Sequence, residues 1–81
     1  HACMPTVFRS GPCRLCFYAG DRDELPHVHI ERDNSEAKFW LDPIRLARSH
    51  EFAAKEIKLI ENLIAENQQG LLDAWNEFFN G

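Results

Sequence analysis

Long apolar runs, an even set of cysteines and an excess of positive charge are all missing from this chain of 81 residues. No stretch approaches the roughly 20 apolar residues that a membrane-crossing helix needs. No secretory signal pattern is present either, so no membrane partner is expected. The 3 cysteines are an odd number and do not suit a disulfide framework, which points to a reducing, cytoplasmic location. Lys and Arg total 9 against 13 Asp and Glu. The net charge of −4 sits entirely in residues 51–81, because residues 1–50 balance seven bases against seven acids. That is the wrong sign for a nonspecific nucleic-acid binder. Repeats, linkers and low-complexity stretches are absent too. His1-Ala2-Cys3 precede Met4 and read as a cloning remnant, leaving residues 4–81 as one small domain. A domain of this size buries little surface, so partner binding would help it.

Hydrophobic period organises what is there. Thr6–Arg9 reads as a strand, Gly11-Pro12 as a turn and Arg14–Tyr18 as a second strand. A polar loop, Ala19–Glu24, leads to a third strand, His27–Arg32. Asp33-Asn34-Ser35 has hairpin-turn composition, and Glu36–Leu41 follows as a fourth strand. Asp42 can cap a short helical turn over Ile44–Arg48, with Pro43 at its first position. From Phe52 the period lengthens. Ile57, Ile60, Ile64, Leu71, Trp75 and Phe78 recur at three- and four-residue steps. The stripe predicts one long helix capped at Ser49 and bent at Gly70, where glycine costs about 1 kcal/mol relative to alanine. The expected fold is α+β: a small antiparallel sheet of about four strands packed by a long C-terminal helix.

The segment Pro26-His27-Val28-His29-Ile30-Glu31-Arg32 alternates polar and apolar residues. On a strand, Val28 and Ile30 share one face while His27, His29 and Glu31 share the other. Such a row can bind a metal, shuttle protons or contact a phosphate. It can equally be the wet face of a small sheet, in which case His27 and His29 tolerate replacement by Gln. A metal would need Glu31 or His50 as third ligand. Cys13-x-x-Cys16 adds little, because an odd separation on a strand sends the two thiols to opposite faces. We expect no metal and no cofactor. Catalysis without metal needs a base, an acid and a cation, which His27, His29, Glu31, Arg14, Arg32 and Lys38 could supply to a ribonuclease. Phe39 is expected in the core with Ala37 and Leu41, and Trp40 on the polar face with Lys38 and Glu36. Phe79 is one step off the helical stripe, which leaves it exposed to a partner or to a second copy of the chain in a homodimer.

Taken in order, Met4-Pro5-Thr6-Val7-Phe8-Arg9, Phe17-Tyr18, Pro26-His27-Val28-His29, Glu36-Ala37-Lys38-Phe39-Trp40-Leu41-Asp42-Pro43 and Leu71-Leu72-Asp73-Ala74-Trp75-Asn76-Glu77-Phe78-Phe79 resemble a family of small bacterial proteins classed as domain of unknown function 4160. Cys13, Cys16 and Gly70 depart from its pattern. Some members are described as toxins of type II toxin–antitoxin pairs. The resemblance therefore implies a toxin-like component that binds, and is inhibited by, a small cognate antitoxin-like protein. It points to His27, His29, Lys38, Trp40 and Asp42 without assigning them roles. The remaining alternatives are a small metal-independent ribonuclease acting on RNA through the His27/His29 row, and a metal- or ligand-binding module.

Overall fold

The computed structural model describes Cys3 and residues 5–80. His1, Ala2, Met4 and Gly81 lie outside the described residues, so the reading of 1–3 as a remnant is open only to Cys3. Five strands come first: β1 (Thr6–Ser10), β2 (Cys13–Cys16), β3 (His27–Arg32), β4 (Ser35–Leu41) and β5 (Ile44–His50). Two helices follow, α1 (Ala54–Glu66) and α2 (Gln68–Asn80). The sheet is an antiparallel meander in chain order, β1-β2-β3-β4-β5.

Turn chemistry explains the meander. Gly11 takes φ +57° between β1 and β2, a backbone state that glycine reaches without steric cost. Asp33 takes φ 53° in the two-residue turn that pairs Arg32 with Ser35. Asp42-Pro43, a cis peptide, joins Leu41 to its partner Ile44. This last turn corrects two expectations. The sheet has five strands and not four, and Ile44–Arg48 is part of β5 and not a helical turn. Asp-Pro is as good a hairpin turn as a helix cap, and pairing with the otherwise open side of β4 decides between them.

The α+β class stands, and the helices pack onto the sheet. One apolar face of the sheet, with Leu15, Val28, Ile30, Ala37, Phe39 and Leu41, meets Ile60 and Ile64 of α1 and Leu71, Trp75 and Phe79 of α2. Phe39 thus enters the core as expected. The single long helix does not form, and the break falls at Asn67 rather than Gly70. Asn67 (φ −120°) donates its side-chain amide to Leu63 O at 2.8 Å, while its own carbonyl accepts from Leu71 N at 2.9 Å. Asparagine competes with helix hydrogen bonds in this way, and so serves better at ends than in interiors. Gln68 Nε2 then donates to Leu41 O at 2.7 Å and pins the joint to the sheet. The restart moves the stripe to Leu71, Trp75 and Phe79, spaced by four. Phe79 is therefore buried, and Phe78 is the exposed one at 39%, the reverse of the expectation. Ser49 does not cap the helix, because it lies in β5; Glu56 instead accepts from Ala53 N at 3.2 Å at the start of α1.

The cysteines also differ from expectation. Cys3 and Cys16 are joined by a disulfide with Cα atoms 5.4 Å apart, and Cys13 is the free thiol. Residue 3 therefore takes part in the fold, and the cysteines are not all unbridged. Cys13 and Cys16 do diverge: Cys13 packs against the core, and burial pushes its thiol above the usual range.

Candidate functional site

The polar face of β3 is where the sequence motif and the fold meet. Cross-strand register places His27 opposite Trp40, His29 opposite Lys38 and Glu31 opposite Glu36. The row expected from alternation is thus assembled, with Trp40 beside the histidines. It is not a wet face. His27 is 0% exposed and His29 2% exposed. The segment between β2 and β3 folds over them, through Tyr18 and the short 3-10 turn Ala19–Asp21. Tyr18 stacks on His29 with ring centroids 3.6 Å apart and planes 6° from parallel. The rings of Trp40 and Trp75 stand 5.5 Å and 5.0 Å from that of His27.

Asp21 organises the two imidazoles. Its Oδ2 lies 2.7 Å from His27 Nε2 and 2.9 Å from His29 Nε2. The opposite nitrogen of each ring is also engaged. His27 Nδ1 is 2.8 Å from Leu25 O, and His29 Nδ1 is 3.4 Å from Glu36 Oε2. A carbonyl oxygen only accepts, so His27 Nδ1 carries a hydrogen, and Nε2 donates to Asp21 only when the ring holds a second proton. Burial pushes the Asp21 carboxyl up, but hydrogen bonds from His29 and His27, with the charge of the rings, outweigh it and hold it below the usual carboxylate range. Asp21 is the functional residue that sequence reasoning missed. It sits in an acid-rich loop with Asp23 and Glu24, and nothing in the linear order selects one of the three.

The other expected residues divide sharply. Glu31 is not free to act with the histidines: Arg14 reaches its Oε1 at 3.1 Å and the Tyr18 hydroxyl donates to its Oε2 at 3.1 Å. Burial and that hydrogen bond push the Tyr18 phenol up to about 12. His50 is exposed and pairs with Glu51, so it is not a third ligand. Arg32 is held by Glu56 at 2.8 Å and Lys38 by Glu24 at 2.6 Å. The three cations proposed for a ribonuclease are therefore each bound by a carboxylate, and the two bases are sealed from solvent. Lys38 Nζ also stands 4.5 Å over the Trp40 ring, a cation–π contact. Trp40 and Asp42 line one wall of a groove of about 230 Å³ with Leu25, Pro26, Pro43 and Arg45. Phe79 lies in the core against Trp75, with ring centroids 4.2 Å apart, and is withdrawn from any partner surface.

A family model described as Domain of unknown function (DUF4160) matches residues 13–76. The chain belongs to that family. No curated protein and no solved structure matches it. The DUF4160 match runs from the start of β2 into α2, so Asp21, His27, His29, Lys38, Trp40 and Asp42 all fall inside it, while β1 and Phe79 fall outside. No helix among the described residues is long and apolar enough to cross a membrane.

Proposed function

We propose that this DUF4160 chain is the toxin-like component of a bacterial two-protein pair, and that it works by binding its small cognate partner along β5 and the adjoining Trp40 groove. The observation that carries the reading is the state of β5. Six of its seven residues are exposed, and it ends the sheet order with no further strand beyond it among the described residues. An open edge of this length is a template for pairing with another chain. Its sequence, IRLARSH, contains two arginines and a histidine and no acid. Arg48 is already tied to Glu36 at 3.1 Å, which leaves Arg45 turned to the groove. The partner that fits is a small protein offering an extended acidic segment, with one apolar side chain for the groove, where Leu25 is 72% exposed.

The test pairs growth with affinity. Expression of the chain alone should arrest growth, and co-expression of the protein encoded beside it should restore growth. Arg45→Glu with Leu25→Asp should weaken binding of that purified partner at least tenfold while the far-UV spectrum stays unchanged. Unimpaired growth with the chain alone, or undiminished binding by the double variant, would sink the reading.

A further inference from the structure

The His–Asp–His cluster has a property that partner docking does not use. Three ligand-type atoms, Asp21 Oδ2, His27 Nε2 and His29 Nε2, lie within 4.8 Å of one another. From this geometry we infer that they form a binding site for one divalent first-row metal ion of the zinc or iron(II) class.

Donor arithmetic supports this. Each ring nitrogen of the two histidines faces an oxygen: Leu25 O and Asp21 Oδ2 for His27, Glu36 Oε2 and Asp21 Oδ2 for His29. Two neutral imidazoles carry one N–H each, so they supply two donors for four contacts. If the two N–H groups face outward to Leu25 and Glu36, both Nε2 lone pairs and the Asp21 carboxylate converge with no hydrogen between them. Two extra protons, or one dication, must fill that point. The outward contacts are the ones that metal-binding histidines make, with the far N–H donated to a backbone carbonyl or a carboxylate. Two imidazoles and one carboxylate form the donor set of catalytic zinc and of non-haem iron(II), with coordination positions left over. Ligand atoms bonded at about 2.0–2.2 Å to one ion lie roughly 3 Å apart. The present spacings of 2.7 and 2.9 Å need to open only slightly.

The fold supplies the remaining requirements. His27 and His29 are locked on a central strand under Tyr18 and Trp40, and Asp21 rides on the 3-10 turn, whose partly exposed carboxylate is the entry side. The earlier expectation of no metal considered only Glu31 and His50 as third ligand, and Asp21 replaces both. A second group of ligand-type residues, Cys3, Cys16 and Glu31, does not compete, because its two sulfurs are bonded to each other. The proposal stands apart from the partner-docking reading: none of its three ligands lines the Trp40 groove, and its assay is a different one.

The test uses the full chain stripped with EDTA and dialysed. Calorimetric titration with zinc chloride should give one ion per chain, and zinc should raise the melting temperature. Cobalt(II) should give visible ligand-field bands without a sulfur charge-transfer band. Asp21→Asn should abolish saturable zinc binding. Glu36→Gln, which removes the carboxylate behind His29 together with the exposed Arg48 pair, should weaken binding about 10- to 100-fold and covers the case in which Asp21→Asn fails to fold. Absence of saturable zinc and cobalt binding by the unaltered chain would assign the cluster to protons and overturn the proposal. Binding that survives both variants, or a sulfur band in the cobalt spectrum, would overturn it as well.

Discussion

The two faces of β3 are buried to the same degree by opposite means. Val28 and Ile30 are covered by apolar side chains of the core. His27 and His29 are covered by a loop whose covering groups are an aspartate, a tyrosine ring and a backbone carbonyl. Apolar burial gains in proportion to area and asks little of geometry. Burial of a ring nitrogen costs free energy unless an oxygen stands at hydrogen-bonding distance. One face therefore tolerates substitutions that preserve volume, while the other tolerates almost none that remove a partner. Trp75 links the two, since its ring lies 5.4 Å from Phe17 and 5.0 Å from His27.

The comparison can be broken on either side. The largest effect should come from the apolar face. Phe39→Ala should lower unfolding free energy by about 3–5 kcal/mol, read from urea titration. On the polar face, Asp21→Ala leaves two buried ring nitrogens without their acceptor and should cost about 1–3 kcal/mol in metal-free protein; a neutral outcome would mean that the loop's cover contributes nothing. His27→Gln with His29→Gln, harmless on a wet face, should behave like Asp21→Ala and not like a surface change. Tyr18→Phe keeps the stacked ring and removes only the hydroxyl that donates to Glu31, so its cost should be about 0.5–1.5 kcal/mol. The smallest effect lies outside both faces. A Cβ built at Gly70 meets nothing within 4 Å, and Gly70→Ala should raise stability by up to about 1 kcal/mol in a thermal melt.

Those magnitudes follow what was and was not legible in the sequence. Alternation in HVHIER placed β3 at the bounds the structure shows and assigned His27, Val28, His29, Ile30 and Glu31 to their correct faces. Alternation says which way a residue points, and it is silent on what later covers it. The covering loop has no period at all, so Asp21 and the burial of both histidines could not be read. The β5 error was one of competing local signals: Asp42-Pro43 suits a helix start and a hairpin turn alike, and only the tertiary fact of an open β4 edge decides. Phe78 and Phe79 exchanged places because the stripe was extrapolated through Asn67, where the helix stops and begins again. Alternation put Lys38 and Trp40 on one face of β4, whereas Asp42 was pointed to only by the family resemblance.

A meander in chain order has a consequence for biosynthesis. Every strand pairs with its immediate predecessor, so the sheet can zip up step by step as the chain emerges, each step closing a short loop. Leu71, Trp75 and Phe79, which cover much of its apolar face, are translated only afterwards. For that interval the nascent sheet presents Leu15, Ile30 and Phe39 to solvent, bare of their helices, and ribosome-bound chaperones should crosslink to it most strongly before α2 leaves the exit tunnel.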